Sequence, residues 1–234
     1  MLKAILFDMD GTLLPMDAEA FTKAYMGSLA KKFAPHGYAP EEMIDAVWRG
    51  VAAMVKNDGT SINEEVFWAT ASARLGARVN ADREKFDDFY RNDFDALKAA
   101  CGFDPAAGAA VKALKARGYT LVLATNPVFP MTAQQKRLSW SGADEGDFAL
   151  ITSYENSHYC KPNPQYYAEI LGKIGHAPDE CLMVGNDARE DLAAEQAGIR
   201  TFLTTRCLIN REKKDISQCP QGDFAALLEY VNTL

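Results

Sequence analysis

The sequence has 234 residues, of which 48% are hydrophobic and 24% are charged, as in a globular protein with room for one sizeable domain and a smaller one. Its formal net charge of −7 argues against a broad electrostatic surface for nucleic acid or acidic membranes and favours small molecules as partners. No stretch is apolar and long enough for a secretory leader or a membrane span, so we expect a cytoplasmic protein.

The cysteines give no sign of a structural role. The five of them are widely spaced and include no Cys-x-x-Cys pair. This pattern indicates neither a disulfide framework nor a thiolate zinc site. We therefore expect reduced thiols.

The first predicted element is a buried strand at residues 4–7, because four apolar residues in succession are typical of a strand covered on both faces. Two acids and a glycine follow at once, in the order Asp8-Met9-Asp10-Gly11. Side chains alternate along an extended segment, so Asp8 and Asp10 point the same way. Two such carboxylates at the end of a buried strand need a cation, a proton or strong hydrogen bonds. A divalent metal is the simplest of these solutions.

Residues 16–103 contain no convincing strand and divide into helical stretches. Four helices are predicted here, at about residues 17–33, 40–54, 61–75 and 82–101. Ser61 followed by Glu64 has the spacing of a capping box for the third of them. In the fourth, aromatic residues such as Phe86 and Phe94 recur at helical spacing, which indicates core packing rather than a cofactor contact.

From residue 104 the pattern changes to alternating helices and apolar strands, which is typical of a parallel sheet with crossover helices. The predicted strands are residues 121–124, 148–152, 181–184 and 200–203, and the predicted helices are residues 105–118, 164–174, 188–197 and a terminal one after Asp223. With residues 4–7, these strands predict an α/β fold with a Rossmann-like, parallel, five-stranded sheet. We expect a core domain of residues 1–15 and 104–234, and an inserted all-helical cap domain of residues 16–103.

Polar residues follow the ends of two further predicted strands, where open α/β sheets bind their ligands. Thr125 and Asn126 follow residues 121–124, and both can hydrogen-bond a phosphate oxygen, although Asn before proline is also ordinary turn chemistry. Asp187 and Asp191 follow the fourth strand and lie four apart at a helix start, which places both on one side. The alternatives are an N-cap and a solvated acid in the first helical turn.

Lys161 immediately precedes a predicted helix, whose N-terminus would itself favour an anion. A lone lysine is most often a solvated surface residue. Its neighbours in the sequence form the string Lys161-Pro162-Asn163-Pro164, and both hypotheses stay open at this point.

Four segments, taken in order, resemble the motifs of the haloacid dehalogenase-like (HAD) superfamily, in its phosphatase-type version with two aspartates and a helical (C1-type) cap. They are Asp8-Met9-Asp10-Gly11-Thr12, Thr125, Lys161-Pro162-Asn163-Pro164, and Asp187 with Asp191. Four ordered matches, each at its expected strand end, are far more specific than any one of them. The cap matches only in its position and helical character.

The resemblance implies a role for each matched residue. It makes Asp8 the nucleophile that becomes phosphorylated and Asp10 the general acid and base. It places Thr125 and Lys161 on the phosphate, and the neighbouring amide of Asn126 is a further candidate ligand.

The resemblance also implies bound Mg²⁺, held by Asp8, Asp10 through its backbone carbonyl, and Asp187. Asp191 would bind through water or orient the site. Asn186 stands where some members carry the first acid of the pair. Whether Asn186, Asp187 or Asp191 contacts the metal directly is therefore left open.

The function implied is a magnesium-dependent phosphatase that hydrolyses a small phosphorylated metabolite through an aspartyl-phosphate. One alternative is a phosphomutase of the β-phosphoglucomutase type, although the Thr-x-x-Gly-x-x-Arg cap signature has no convincing match. A dehalogenase would lack the second acid, which Asp10 supplies here. A non-catalytic binding or regulatory protein is the alternative from another class. The sequence indicates neither the substrate, nor the cap residues that select it, nor the oligomeric state.

Overall fold

The computed structural model describes all 234 residues. Its strands are β1 (Ala4–Phe7), β2 (Thr120–Leu123), β3 (Leu150–Ile151), β4 (Cys181–Gly185), β5 (Arg200–Thr204) and β6 (Gln221–Gly222). They form one sheet in the order β3-β2-β1-β4-β5-β6, and every neighbouring pair is parallel. The predicted parallel α/β fold is confirmed.

The prediction of five strands was wrong, because the sheet has six. The additional strand is β6, which has two residues and pairs with β5 at the edge of the sheet. A glutamine and a glycine carry no apolar run, so nothing local in the sequence indicates this strand. Its position is fixed by the partner strand.

The first strand is the centre of the sheet. All four residues of β1 are fully buried, and Phe7 lies opposite Leu123 of β2 and Val184 of β4. The carboxyl ends of β1, β2 and β4 therefore meet at one edge of the sheet. Whatever follows these three strands in the sequence is brought together there.

The α-helices are α1 (Ala18–Phe33), α2 (Pro40–Val55), α3 (Asn63–Leu75), α4 (Arg78–Ala81), α5 (Arg83–Asp88), α6 (Pro105–Ala116), α7 (Met131–Trp140), α8 (Pro164–Ile174) and α9 (Phe224–Val231). Four of them begin after a residue whose side chain accepts a backbone N–H of the first turn: Asp17, Asp104, Asn163 and Asp223. None of the helices combines the length and the apolar character that crossing a membrane requires.

The predicted capping box of α3 was wrong. The helix begins at Asn63, and Ile62 occupies the N-cap position without a side-chain hydrogen bond. The first free N–H groups donate instead to the carbonyl oxygens of a distant loop, from Asn63 to Ser157 and from Glu64 to Tyr154, both at 2.8 Å. Tertiary structure thus supplies the acceptors that a local cap would have provided.

The single helix predicted at residues 82–101 is irregular. After α5 the chain forms a π-helical turn at Phe89–Asp93 and a 3₁₀ segment at Phe94–Ala100. The changes of pitch allow its aromatic residues to pack in two directions, since Phe86 lies on Phe33 of α1 and Phe94 lies on Trp140 of α7. The prediction that these aromatics are core residues is confirmed.

One further helix prediction was largely wrong, and one helix was missed. Only Leu192–Ala197 of the helix predicted at residues 188–197 is helical, as a 3₁₀ segment, and the N–H of Ala188 donates to Ile209 O at 2.8 Å. Helix α7 was not predicted at all. Its apolar stripe is interrupted by Gln134 and Arg137, which are polar yet completely buried.

The chain passes from the sheet to the helices at two adjacent points. Met16 and Cys101 form an antiparallel bridge, and Gly102 N donates to Pro15 O at 2.7 Å. We refer to residues 16–103 as the helical insertion. The assignment of this segment as a separate cap domain, over a core domain of residues 1–15 and 104–234, stays a prediction.

Candidate active site

A polar cavity of about 200 Å³ lies where β1, β2 and β4 end. Its lining residues are Asp8, Asp10, Ala18, Thr125, Asn126, Asn186, Asp187, Glu190, Asp191, Ile209 and Arg211. The cavity therefore brings together every predicted site residue except Lys161. That lysine lies directly behind the wall, in contact with two of the lining carboxylates.

Asp8 continues the line of β1, since its N–H donates to Val184 O at 2.9 Å. Its carboxylate accepts a hydrogen bond from Lys161 Nζ at 2.8 Å, and Thr12 Oγ1 lies 3.3 Å from its second oxygen. Burial raises the pKa of Asp8 above its ordinary value; Lys161 opposes the rise and Asp10 adds to it. A further cation in the cavity would favour the ionised form.

Lys161 is completely buried and lies between two carboxylates, with Nζ 2.8 Å from Asp8 Oδ1 and 2.7 Å from Asp191 Oδ1. Burial by itself would lower the pKa of Lys161, but Asp191 and Asp8 outweigh it and raise the pKa well above its ordinary value. The lysine therefore carries a positive charge. The hypothesis of a solvated surface lysine does not fit this position.

The two acids after β4 are held differently. Both oxygens of Asp191 are occupied, Oδ1 by Lys161 and Oδ2 by the N–H of Asp187 at 2.9 Å. A Cβ at Gly185 would overlap Oδ2 of Asp191, so a glycine is required for this approach. Asp187 is half-buried, and its Oδ1 accepts the N–H groups of Arg189 at 2.7 Å and Glu190 at 3.0 Å. Its second oxygen makes no such bond.

Asn186 is buried and links two loops. Its Oδ1 accepts from Thr12 Oγ1 at 2.9 Å, and its Nδ2 donates to Cys207 O at 2.7 Å. Gly11 adopts a φ of +87° against this amide, where a Cβ would overlap Nδ2. Both ends of the Asn186 side chain are thus used to fix the loop that follows Asp8 and Asp10.

The residues after β2 are fixed by their neighbours. The carbonyl oxygen of Thr125 accepts from Tyr166 Oη at 2.9 Å and from Thr152 Oγ1 at 2.7 Å. Asn126 donates from Nδ2 to Glu190 Oε2 at 3.3 Å, while its Oδ1 is buried without a partner. Burial raises the pKa of Glu190 to about 7, against the opposing charge of Lys161.

Sequence reasoning missed Arg137. This residue is completely buried on α7, donates to Asp10 Oδ2 at 2.5 Å and to the side-chain oxygen of Gln134, and lies 4.4 Å from the centroid of the Phe129 ring. The second oxygen of Asp10, Oδ1, is buried without a partner. Only the spacing of Gln134 and Arg137, three apart in an otherwise weak helical pattern, could have indicated a shared inward face.

The charges of the cavity are unbalanced. Five carboxylates line it, and Arg211 is the only basic residue among the lining residues. Lys161 adds one buried positive charge behind the wall. A phosphate dianion would be repelled unless another cation entered with it.

The oxygen atoms that remain free fit Mg²⁺. They are the backbone oxygen of Asp10, which accepts no backbone hydrogen bond, and the second oxygen of Asp187; the carboxylate of Asp8 lines the same cavity. Mg²⁺ prefers oxygen ligands and is held by one or two carboxylates, with waters and substrate phosphate completing its shell. No group of three or more His, Cys, Asp or Glu side chains is arranged to hold a metal by itself.

Three comparisons place this chain among known proteins. The family model "haloacid dehalogenase-like hydrolase" matches residues 2–198. A phosphoglycolate phosphatase from Vibrio vulnificus (strain YJ016) is 30% identical over 205 residues, which cover 86% of this chain and 82% of that protein.

Solved structures agree with the fold. A 2-haloacid dehalogenase from Pseudomonas syringae pv. Tomato DC3000 has a TM-score of 0.62 at 19% identity, covering 100% of this chain and 99% of its own. The HAD-hydrolase YfnB from Bacillus subtilis, in a magnesium-bound form, has a TM-score of 0.55 at 18% identity, covering 99% of each chain.

Proposed function

The chain belongs to the haloacid dehalogenase-like hydrolase family and is a phosphatase of that family, and from this premise we propose that it hydrolyses small phosphate monoesters with Mg²⁺ through an aspartyl-phosphate. The observation that carries the proposal is the contact of the buried Lys161 with Asp8, beside the second carboxylate of Asp10 and at the wall of one polar cavity.

The first half-reaction begins at Asp8. A carboxylate oxygen of Asp8 attacks phosphorus in line with the ester bond, while Thr125 and Lys161 stabilise the charge on the phosphoryl oxygens. The bond from phosphorus to the leaving oxygen breaks. Asp10 gives its proton to the departing alkoxide, so the products are an alcohol and a phosphorylated Asp8.

The second half-reaction uses the same acid in its ionised form. Asp10 removes a proton from a water molecule, and that water attacks the phosphorus of the aspartyl-phosphate. The acyl-phosphate bond breaks, inorganic phosphate is formed, and Asp8 regains its carboxylate while Asp10 is protonated again. One residue thus serves both steps.

Asp8, the backbone oxygen of Asp10 and Asp187 are the groups that would hold Mg²⁺. When bound, the ion supplies positive charge beside the acidic side chains that line the cavity. Asp191 orients Lys161 and the N–H of Asp187, because both of its oxygens are already occupied. Asn186 is likewise a positioning residue.

Two other activities fit the residues less well. The structural likeness to a dehalogenase is at 19% identity and concerns the fold alone, whereas Asp10 supplies an acid that a dehalogenase lacks. A phosphomutase would return the phosphoryl group to a sugar. Release of inorganic phosphate at the rate of substrate loss separates hydrolysis from transfer.

The test is activity of the purified protein on acetyl phosphate, with Mg²⁺ and then with EDTA. We expect phosphate release with Mg²⁺, its loss in EDTA, and its recovery on addition of Mg²⁺. Asp8→Asn should reduce release to background, because an amide cannot form the acyl-phosphate. Asp179→Asn, which alters an exposed acid, is the control.

A single-turnover experiment, with a substrate whose phosphoryl group is labelled, completes the test. The wild-type protein should hold label that hydroxylamine removes, as it does from an acyl-phosphate, and Asp8→Asn should hold none. Wild-type-like turnover by purified Asp8→Asn protein would overturn the mechanism. Absence of turnover on every phosphate ester tried would favour a non-catalytic protein.

A further inference from the structure

A second cavity, which the proposed mechanism does not use, lies between the helical insertion and the core. Its volume is about 160 Å³, and thirteen of its fifteen lining residues are hydrophobic. Its walls come from residues far apart in the sequence, among them Tyr25, Phe67, Tyr90 and Phe129. Trp48 also lines it and is 50% exposed, so one end of the cavity reaches the surface.

This cavity adjoins the catalytic one at the proposed general acid. Asp10 and Ala18 line both cavities. Arg137 holds Asp10 Oδ2 at 2.5 Å, which fixes the carboxylate at the boundary. Because Asp10 lines both cavities, the leaving oxygen of an ester that it protonates has the apolar cavity beside it. The organic part of the substrate then extends into it.

The chemistry of the walls favours an uncharged organic group. No lysine, arginine or histidine lines the apolar cavity. Tyr25 and Tyr90 direct their hydroxyls at each other, 2.7 Å apart. Arg137 is not among the lining residues and is already paired with Asp10. A carboxylate deep in this cavity would lie among apolar side chains and beside the carboxylate of Asp10, which is unfavourable.

The volume sets the size of the group. A dry apolar cavity of about 150 Å³ in another protein binds benzene. We propose that the substrate is the phosphate monoester of a small apolar alcohol, whose hydrocarbon part is about the size of a six-membered ring. This proposal rests on the proposed phosphatase function and names its substrate class. It differs from the phosphoglycolate of the relative's name, whose organic part carries a carboxylate.

The experiment compares four substrates with the wild-type protein and Mg²⁺. Benzyl phosphate, glycerol 3-phosphate and phosphoglycolate all release primary alcohols, so they make similar demands on Asp10 and differ in the polarity of the organic part. Acetyl phosphate needs only the catalytic cavity. We expect kcat/KM for benzyl phosphate to exceed that for glycerol 3-phosphate and phosphoglycolate by about tenfold or more.

A charge placed in the cavity wall gives a second measurement. Val51 lines the cavity and is half-buried on α2, whereas Val55 lies one turn further on, is 42% exposed and does not line it. Val51→Lys should lower kcat/KM for benzyl phosphate about tenfold more than for acetyl phosphate, and should shift the preference towards phosphoglycolate. Val55→Lys should change neither the ratio of kcat/KM for benzyl phosphate to that for acetyl phosphate nor the preference for benzyl phosphate over phosphoglycolate.

The outcomes separate the two proposals. If no substrate, acetyl phosphate included, is hydrolysed in a way that depends on Asp8, then both the phosphatase function and the substrate class are overturned. The substrate class alone would be overturned if acetyl phosphate is hydrolysed but kcat/KM for glycerol 3-phosphate or phosphoglycolate equals or exceeds that for benzyl phosphate. The substrate series is measured on the wild-type protein, so it decides even where Val51→Lys does not fold.

Discussion

Asp10 is held from behind by a fully buried arginine, an arrangement with consequences for protonation of the leaving group. The guanidinium group of Arg137 donates a hydrogen bond to Asp10 Oδ2, and its flat face lies over the Phe129 ring. It reaches no atom of the catalytic cavity wall other than Asp10. Arg137 therefore acts through Asp10, by fixing the position of the proposed general acid.

Arg137→Met should weaken that acid while keeping most of the side-chain volume. We expect kcat/KM for an alkyl phosphate to fall about 10²-fold, since correct placement of a general acid contributes about 10²- to 10⁴-fold. Acetyl phosphate should lose much less, because acetate leaves without a proton. Steady-state kinetics on both substrates measure the ratio, with Arg117→Met, at an exposed arginine, as control. Equal losses on the two substrates would point to general damage.

The two acids after β4 should respond differently to Mg²⁺. Asp187 keeps a free oxygen, whereas both oxygens of Asp191 are occupied. Asp187→Ala should therefore raise the Mg²⁺ concentration that gives half-maximal activity more than Asp191→Ala does. Titration of activity with Mg²⁺ for each variant measures this. Equal or reversed shifts would overturn the assignment of Asp187 as the direct ligand.

Helices α2 and α3 come into close contact at Gly50 of α2. A Cβ at Gly50 would lie 2.5 Å from the ring of Phe67, and that ring is flanked by Trp68 and Tyr154. Phe67 and Trp68 are buried. The close approach of the two helices thus depends on the absence of a side chain at Gly50.

Gly50→Ala should destabilise the protein by about 1–3 kcal/mol, the usual cost of forcing an extra methyl group into a packed core. The matched control is Gly27→Ala. Gly27 also lies inside a helix, but nothing stands within 4 Å of its Cβ position, so the better helix former should stabilise by about 0.5–1 kcal/mol. Urea unfolding gives both values. A stabilising Gly50→Ala would show that α2 and α3 can separate without cost.

At the scale of the whole molecule, the helical insertion lies against the core through a few specific contacts. Tyr25 packs on Phe129 with ring centroids 5.2 Å apart. Lys136 of α7 donates to Arg91 O at 2.6 Å and to Asp95 Oδ2 at 2.5 Å. The paired crossings at Pro15 and Gly102 are where the chain could hinge. Closure of the insertion would exclude water from the catalytic cavity.

Lys136→Met should loosen this contact and lower kcat/KM for benzyl phosphate about threefold, as expected for an exposed ion pair of 0.2–1 kcal/mol. Acetyl phosphate should be affected less, because it needs only the core. Lys32→Met is the matched control, since Lys32 binds Asp88 and Asp93 within the insertion. It should leave kcat/KM unchanged for both benzyl phosphate and acetyl phosphate. Steady-state kinetics decide; proportionate losses on both substrates, or none, would count against a selective lid.

The sequence by itself determined the order of the main elements, because their signals are local. Apolar runs marked β1, β2, β4 and β5, and side-chain caps such as Asp17 and Asn163 marked helix starts. It also indicated that the polar residues following β1, β2 and β4 meet, since parallel strands bring their carboxyl ends to one edge.

Tertiary structure decided what depends on distant partners. The N-terminus of α3 is satisfied by the loop at Tyr154 and Ser157, and β6 exists only beside β5. Arg137 meets Asp10 across 127 positions of sequence. The apolar cavity is assembled from side chains as far apart as Met16 and Tyr154. Such contacts produce no local pattern in the sequence, because each depends on a partner that comes near only when the sheet and the helical insertion have folded.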